Sequence, residues 1–364
     1  MADKKQDFLL YRKVELQLEN MLKEGVLKKG GRIPGERQLS EMLSVSRGTL
    51  RNALEELEKR QFLLRVPGKG TYIQDTGMTV RNIRIGYIFP EPEISLVYQN
   101  YGNYAINSEV WRGIMQCCAV RGITASFIPV PAHGSQEVNR KSFERIKNEC
   151  SGVILPSREF TELAELLAEE GFPFCFTAKV PSFPHVFYDV EKGVTTAAGK
   201  LLACRCRSVK LFSLQSNSLS WNTWETKVKV FKREFAAAGF PIPEENIIEL
   251  SGQETGILEK LRQALPENVP LPDSIFTATP IISFALLHIA TERHWKLPED
   301  VQIMGYANNM NMRRTIPLLT HMELPHAAIG AAAVDNLAEY LFSGREIPEK
   351  TILEATLIQG ETTI

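Results

Sequence analysis

The stretch GRIPGERQLSEMLSVSRGTLRNALEELEKRQFLLRVPGKGTYI, residues 31–73, decides the fold of the N-terminal part of the chain. Its apolar residues recur at the spacing of two short helices, with Leu39, Met42 and Leu43 on the first and Leu50, Ala53, Leu54 and Leu57 on the second. Glu36 and Arg37 open the first helix, and Ser44-Val45 predicts a tight turn between the two. The pattern therefore predicts a helix-turn-helix.

The outer face of the second helix carries polar groups. Ser46 stands where a helix N-cap is expected, and Arg47 and Arg51, four residues apart, share the face opposite the leucines. Thr49 adds a hydroxyl in the first turn. Such a helix suits the major groove of DNA, where side chains from its first turns reach the base edges. We therefore predict that this helix reads DNA.

After Arg60 the apolar residues no longer follow a helical spacing, and the sequence predicts a β-hairpin. Residues 62–66 and 71–73 have the composition of two strands, and Pro67-Gly68-Lys69-Gly70 between them predicts a turn with Lys69 at its tip. A cationic hairpin of this kind is the wing of a winged helix-turn-helix, and its charge strengthens the expectation of DNA binding.

Residues 8–75 resemble the winged helix-turn-helix of the GntR family of bacterial transcription regulators. The resemblance rests on IPGERQLSEMLSVSRGTLRNALEELE, residues 33–58, and on PGKGTYI, residues 67–73. It implies that Ser46 contacts a phosphate as well as capping its helix, and that the hairpin turn approaches the minor groove or phosphates. The DNA contacts that it implies are Arg37, Ser46, Arg47, Thr49, Arg51, Gly68, Lys69 and Gly70. A first helix over residues 8–24 is expected to brace this domain.

The net charge of −1 hides an asymmetry along the 364 residues. Residues 1–84 hold 17 of the 42 Lys and Arg but 11 of the 43 Asp and Glu, which leaves 25 basic against 32 acidic residues in the remainder. The positive charge thus lies with the predicted DNA reader, as phosphate neutralisation requires.

Little in the sequence points to catalysis, a metal or a membrane. The six cysteines and six histidines show no metal-ligand spacing, no nucleophile elbow is present, and Gly68-Lys69-Gly70 lacks the strand–helix context of a nucleotide site. We expect reduced cysteines, no metal, no cofactor and no enzymatic activity. The N-terminus reads as a charged amphipathic helix rather than a signal peptide, so we expect a cytoplasmic protein that does not contact a membrane.

From Arg84 onwards, short apolar strands alternate with helices, which predicts a doubly wound parallel α/β sheet. The predicted strands are 85–89, 123–130, 152–156, 174–176, 186–189, 209–214, 247–250, 274–277 and 301–306. The predicted helices are 107–121, 143–147, 159–170, 192–203, 226–238, 254–264 and 281–293. Two successive rounds of these units imply two lobes with a ligand cleft beyond the carboxyl ends of the strands.

This part of the chain resembles the effector-binding domain of LacI/GalR-type regulators, which has a periplasmic-binding-protein-like fold. The matching segments include Ile83-Arg84-Ile85-Gly86, LPEDVQIMGY at 297–306 and PLLT at 317–320. The expected domains are a winged helix-turn-helix over 1–75, a linker over 76–83 and a two-lobed effector-binding and dimerisation domain over 84–364. Lobe 1 is expected at about 84–188 and 322–350, and lobe 2 at about 189–320 plus the C-terminal segment.

Three polar positions that commonly hold the ligand in that family differ here. Lys227 stands where arginine is usual, Pro280 after Thr279 where aspartate is usual, and Ala307 replaces a second aspartate, followed by Asn308. Recognition of sugar hydroxyls by paired Asp and Arg is therefore weakened. A different ligand, a sugar held by other groups and an eroded pocket all remain open. The candidate ligand contacts are Tyr98, Tyr101, Trp221, Trp224, Lys227, Thr279 and Asn308.

These patterns predict a ligand-responsive transcription regulator, more specifically a repressor, that binds double-stranded operator DNA as a homodimer and senses a sugar-like small molecule. The alternative is a DNA-tethered scaffold with a vestigial cleft, regulated by a protein partner. A small-molecule binding protein for transport is the third interpretation, and the DNA reader argues against it.

Overall fold

The computed structural model describes residues 21, 26–28, 30–59, 63–73, 83–90, 101–132, 134–215, 223–250, 256–306, 310–343 and 345–364. The chain divides into two compact units, residues 1–82 and residues 83–364. The predicted helix over 8–24 and the predicted linker lie outside the described residues, apart from Met21 and Ile83.

The first unit is a helix-turn-helix followed by a hairpin. Its elements are α1 (Glu36–Leu43), α2 (Arg47–Lys59), β1 (Leu63–Val66) and β2 (Gly70–Ile73), and the two strands are antiparallel. The residue between the helices, Ser44, is in the left-handed conformation at φ 51° and ψ 45°, which lets the chain turn sharply. Arg32 pairs with Tyr72 and so places a third extended segment beside the hairpin.

Leucines and isoleucines from all these elements form one buried core. It contains Leu27, Ile33, Leu39, Leu43, Leu50, Leu54, Leu57, Leu63 and Ile73. The leucines that the sequence pattern placed on the inner faces of both helices are buried there, whereas Met42 is exposed on α1.

The second unit alternates strands and helices throughout. Its first elements are β3 (Arg84–Pro90), α3 (Tyr101–Arg121), β4 (Thr124–Val130), α4 (Gln136–Glu149), β5 (Gly152–Leu155), α5 (Thr161–Glu169), β6 (Phe174–Phe176) and β7 (His185–Tyr188). There follow α6 (Val190–Ala203), β8 (Val209–Leu214), α7 (Trp224–Ala237), β9 (Ile247–Leu250), α8 (Ile257–Ala264), β10 (Ser274–Thr277), α9 (Pro280–Glu292), β11 (Gln302–Tyr306) and β12 (Thr320–Glu323). The last are α10 (His326–Ser343), β13 (Lys350–Leu353) and β14 (Thr356–Ile358).

The strands form two sheets of six. The first sheet has the order β13-β7-β6-β5-β3-β4 and all its strands are parallel. The second sheet has the order β14-β12-β11-β10-β8-β9 and is parallel except at its edge, where β14 runs antiparallel to β12. The fold class predicted from the sequence is confirmed, with this one antiparallel edge strand as a difference.

The chain crosses between the two sheets three times. It leaves the first sheet after β7, returns from β12 to α10, and passes from β13 to β14 near its end. Strand β12 thus belongs to the second sheet and β13 completes the first.

Several helices begin earlier than the apolar pattern predicts. Helix α3 starts at Tyr101 rather than 107, and α4 spans Gln136–Glu149 rather than 143–147. Side-chain caps explain part of this difference, because Ser135 Oγ accepts a bond from Val138 N at 3.4 Å and the Asp189 carboxylate accepts one from Lys192 N at 2.9 Å. These caps lie before the apolar repeat, so a pattern of buried residues does not show them.

Within the described parts of the chain, no helix combines the length and the apolarity that a membrane crossing needs.

Helices α3 and α10 touch at glycines, which generates the first prediction. A Cβ on Gly330 would lie 2.1 Å from the Val110 carbonyl oxygen, whereas a Cβ on Gly199, in α6, would meet nothing within 4 Å. We expect Gly330→Ala to lower the free energy of unfolding by ~1–3 kcal/mol, because the two backbones must separate. The matched control Gly199→Ala should be neutral or slightly stabilising. Urea unfolding of the variants measures both effects, and equal stabilities would contradict the close helix contact.

Candidate functional site

Helix α2 presents basic side chains to solvent. Arg47 and Arg51 are exposed, while Leu50 and Leu54 on the opposite side are buried in the core of the first unit. Arg51 Nε lies 3.6 Å from a carboxylate oxygen of Glu55. The Arg51 side chain is 65% exposed and the Glu55 side chain is 50% exposed. Exposed pairs of this kind contribute ~0.3–0.5 kcal/mol, so Arg51 is easily available to another anion.

The start of α2 has the geometry of a capped helix end. The Leu50 N–H donates to the Ser46 carbonyl at 2.9 Å, so the first helical bond closes on Ser46 and this residue occupies the N-cap position. Thr49 lies in the first turn, and its side chain is outside the described part of the structure. Arg37, on α1, is also exposed and pairs with Glu41 at 3.4 Å.

Backbone geometry defines the tip of the hairpin. Gly68 has φ +75° and Gly70 has φ +111°, both in the region that favours glycine. A Cβ on Gly70 would also lie 2.5 Å from Arg32 Nε, so the turn permits no side chain there without a shift of that arginine. Lys69 between the two glycines is exposed, and its carbonyl accepts a bond from the Tyr72 hydroxyl at 3.2 Å.

An ion pair links the hairpin to α1. Arg65 Nη2 lies 3.3 Å from Glu36 Oε1. The eight residues that the sequence singles out for DNA binding therefore all belong to one small unit, and the seven outside α1 lie at the start of α2 or at the hairpin tip. Their contact with DNA stays a prediction.

In the second unit, three polar side chains lie near the carboxyl ends of neighbouring strands. Tyr306 is the last residue of β11, Thr279 follows β10, and Lys227 lies in the first turn of the helix after β8. Since β8, β10 and β11 are adjacent in the sheet, these residues share the edge where ligands of parallel sheets bind.

Lys227 is buried, with 7% of its surface exposed, and its Nζ lies 4.8 Å from the centroid of the Tyr306 ring. It forms no ion pair with a carboxylate in the described parts of the chain, and no charged neighbour contributes to its pKa shift. Because burial disfavours the charged form, the pKa of the Lys227 amine is lowered to about 7. The face of the aromatic ring compensates only part of the lost hydration.

Tyr306 contacts both Lys227 and the start of α6, where the chain passes from the first sheet to the second. Its hydroxyl donates to the Val190 carbonyl at 3.5 Å, and a Cβ on Gly193 would lie 2.7 Å from the hydroxyl oxygen. Burial raises the pKa of Tyr306, as do the nearby Tyr188 and Asp189. The ring therefore stays neutral and closely fitted against the start of α6.

The Thr279 hydroxyl is a second polar group without a partner. It is buried and makes no hydrogen bond to any described residue, although Thr279 is the N-cap residue of α9. A buried hydroxyl without a hydrogen bond is unfavourable, so both Thr279 and Lys227 have capacity for a ligand.

The remaining candidate ligand contacts are placed as follows. The helix predicted over 226–238 begins two residues earlier, at Trp224, so this side chain lies on α7 and is buried in the core at 8% exposure. Tyr101 likewise begins α3 rather than lying in a loop, and its side chain is outside the described part. Tyr98, Trp221 and Asn308 lie outside the described residues.

A depression of about 620 Å³, which no sequence pattern indicates, lies beside the crossing from β12 to α10. Two ion pairs flank it, Arg112–Glu109 at 2.6 Å and Arg313–Glu323 at 2.6 Å, and Arg314 lines it as well. The consecutive Arg313 and Arg314 are a visible basic pair in the sequence. The sequence does not show that they lie beside Glu109, because about 200 residues separate them from it.

His326 is buried at the start of α10, where its ring meets the edge of Tyr188 at 6.3 Å between centroids. Burial lowers its pKa to about 3. Among the residues that the structure describes, no three His, Cys, Asp or Glu side chains are grouped as metal ligands would be, and all six cysteines are free.

Comparison with known protein families agrees with both units. Residues 10–73 match the family of bacterial regulatory proteins called the gntR family, and residues 199–363 match the periplasmic binding protein-like domain. The two matches cover the helix-turn-helix with its hairpin and most of the second sheet.

Relatives by sequence are transcription regulators. Catabolite control protein A of Priestia megaterium is 26% identical over 216 residues, which cover 57% of this chain and 62% of that protein. The HTH-type transcriptional repressor PurR of Escherichia coli O1:K1 is 26% identical over 141 residues, which cover 39% of this chain and 41% of that protein. The chain thus spans less than two thirds of the length of these relatives.

Solved structures share the fold. A transcription regulator GntR from Chromobacterium violaceum superposes with a TM-score of 0.61 at 16% identity, over 77% of this chain and 99% of that one. A CelR–cellobiose complex superposes with a TM-score of 0.59 at 16% identity, over 91% of this chain and 100% of that one.

The fold and the matches define a chain of two parts, in which a helix-turn-helix unit is joined to a periplasmic-binding-protein-like α/β unit. The N-terminal part is a helix-turn-helix unit of the gntR type, and the second part is a periplasmic-binding-protein-like domain similar to those of LacI/GalR-type regulators.

The burial of Lys227 generates the second prediction. Lowering the pKa of this amine from 10.5 to about 7 corresponds to about 4 kcal/mol at neutral pH. Unfolding restores the ordinary pKa, so the penalty is full below pH 7 and disappears as the pH rises to 10.5. We expect Lys227→Met to raise the melting temperature at pH 7, and to raise it less at pH 10.

Thermal melts at the two pH values measure this effect. The control is Lys229→Met, because Lys229 lies on the same helix and is exposed. A lower melting temperature for Lys227→Met at pH 7 would mean that the amine makes a net favourable interaction, contrary to this prediction.

Proposed function

We propose that this protein is a ligand-responsive, sequence-specific DNA-binding transcription regulator that acts as a repressor. The observation that carries the proposal is the exposed arginine face of α2 in a gntR-family unit, joined in one chain to a periplasmic binding protein-like unit. The sensed molecule is a sugar or a related small molecule bound at the carboxyl ends of β8, β10 and β11. The chain has no enzymatic role in this proposal and acts in the cytoplasm.

The DNA contacts divide into two types. Arg47, Thr49 and Arg51 enter the major groove on α2, where arginine pairs in bidentate fashion with guanine and contributes sequence preference. Lys69 on the hairpin, and Ser46 at the helix start, contact phosphates and contribute affinity without preference. Arg37 adds a contact from α1, and Gly68 and Gly70 let the backbone of the turn approach the DNA.

Two chains act together in the proposed mechanism. A homodimer through the second units spaces two copies of α2 for a pseudo-palindromic operator. Dimeric forms are known among similar proteins, since a dimeric Lac repressor superposes with a TM-score of 0.61. Ligand at the interlobe site changes the angle between the two sheets and thereby the spacing, and a coupling of ~1–3 kcal/mol suffices for a switch.

The alternative function is a DNA-tethered scaffold with a vestigial cleft that a protein partner regulates. It is favoured by Pro280 and Ala307, which replace the aspartates of the family pattern. Against it stand the buried Lys227 amine and the buried Thr279 hydroxyl, because an eroded pocket would not retain polar groups without partners.

The third prediction separates preference from affinity in DNA binding. Arg47→Ala and Arg51→Ala should each weaken binding to the selected duplex by ~1–3 kcal/mol and relax the preference at one base pair. Lys69→Ala should weaken binding to all duplexes alike and reduce the slope of affinity against salt. Fluorescence anisotropy on specific and scrambled duplexes measures the difference. Arg145→Ala, an exposed arginine of α4, is the control.

If both arginine variants bound the selected duplex as the wild type does, α2 would not be the reading helix.

The fourth prediction concerns the ligand. A compound that binds only the folded chain must raise its melting temperature, by an amount that corresponds to about 2.7 kcal/mol at 100 times Kd. In a panel of sugars, polyols and nucleosides, we expect one chemical class to raise the melting temperature of the wild type. A flat response across the panel would favour the scaffold over the regulator.

A further inference from the structure

Lys227 lies on the apolar face of its helix. The buried residues of α7 are Trp224, Lys227, Val230, Phe231 and Phe235. Because Lys227 shares a helix face with these apolar residues, its amine points into the core and lies over the Tyr306 ring. A charged group in such surroundings requires an opposite charge or must lose its proton.

Two acidic groups at the start of α6 are engaged elsewhere. The carboxylate of Asp189 caps α6 by accepting the Lys192 N–H at 2.9 Å, and Glu191 forms an ion pair with Arg233. Tyr306 and Tyr188, which border the site from β11 and β7, are neutral because burial raises the pKa of both. Among the described residues, no carboxylate forms an ion pair with Lys227, and burial is the sole cause of its lowered pKa.

We propose that the effector is an anion, a sugar acid or a sugar phosphate, whose carboxylate or phosphate pairs with the Lys227 ammonium. The inference rests on the proposed function and gives the chemical class of its ligand. The effector supplies the counter-charge that the described residues do not, and its anionic group lies over the carboxyl ends of β10 and β11. The Thr279 hydroxyl offers a hydrogen bond to the same ligand.

The start of α9 supports an anion at this edge of the sheet. Helix α9 begins at Pro280, directly after Thr279, and its first-turn N–H groups and dipole favour negative charge. Two carboxylates that would accept bonds from the hydroxyls of a neutral sugar are missing, because the positions expected to supply them hold Pro280 and Ala307. The site thus offers donors and positive charge, which suit an acceptor-rich anion.

Binding of an anion is linked to protonation of the lysine. Above pH 7 the amine is mostly neutral, so an anion must draw a proton from solvent onto Nζ as it binds. The buried histidines of the neighbouring elements do not share this titration window, because burial lowers the pKa of His326 to about 3 and also lowers the pKa of His321. Affinity for the anion should therefore fall as the pH rises from 6 to 8.5.

The test is a melt of the full chain with matched pairs of compounds. The pairs are gluconate with glucose, glucose 6-phosphate with glucose, and galacturonate with galactose, and inorganic phosphate and acetate serve as anions without a sugar. Each is titrated to 10 mM at pH 6 and pH 8.5 with the wild type, Lys227→Met and the exposed control Lys229→Met. Apparent affinities from the shifts are compared within each pair, so the carboxylate and phosphate arms separate the two sources of charge.

We expect at least one anionic compound to bind the wild type and Lys229→Met at least tenfold more tightly than its neutral parent at pH 6. That advantage should fall at least fivefold at pH 8.5 and disappear in Lys227→Met. Lys227→Gln provides a second uncharged variant should Lys227→Met fold poorly, and the pH comparison on the wild type needs no variant.

Equal affinity for the charged and neutral members of every pair would overturn the inference and leave a ligand-responsive regulator standing. An anion that bound Lys227→Met as tightly as the wild type would overturn it in the same way. No shift by any compound would remove both the inference and the proposed effector function.

Discussion

The three crossings of the chain between the two sheets constrain everything else in the second unit. Strand β13 joins the first sheet although it follows the strands β8 to β12 of the second sheet, and β14 then joins the second sheet. Neither sheet is therefore complete until the last strands of the chain are in place. The sheets are parallel almost throughout, so the carboxyl ends of their strands define the ligand edge. Tyr306 at the end of β11 touches the start of α6 at the first crossing. A group bound beside Tyr306 is therefore well placed to alter the angle between the sheets.

Much of this architecture follows from short patterns. The structure contains the two helices that the leucine spacing predicts, α1 and α2, and the glycine-flanked turn at Lys69. Strands β8, β9 and β10 lie within a residue or two of their predicted bounds. The starts of α3 and α4 were predicted six or seven residues too late, because polar first turns hide the apolar repeat and caps act through single side chains. The edge strands β13 and β14 were not predicted as strands, since each is short and only partly buried.

The two candidate sites also differ in how far the sequence predicts them. The DNA-binding residues are close in sequence, so a local motif contained nearly all of them. The ligand edge joins residues from distant segments, and only the resemblance to a family placed Lys227 and Thr279 there. The burial of Lys227 was nevertheless encoded locally, because Trp224, Lys227 and Phe231 follow the i, i+3, i+7 spacing of an apolar helix face. The depression lined by Arg112 and Arg313 has no such local signal, because its two sides come from opposite ends of the unit.

In the proposed function, a ligand bound to the second unit changes the affinity of the first unit for DNA. The measurement that tests it most directly is the Kd of the full chain for its selected duplex, by fluorescence anisotropy, with and without a saturating compound that raises the melting temperature. A ligand-responsive regulator predicts a change of at least about fivefold, equivalent to ~1 kcal/mol of coupling, and the same change in the affinity of the compound when DNA is bound. Equal Kd values at full occupancy of the ligand site would contradict the claim, because a ligand without coupling to DNA binding regulates nothing.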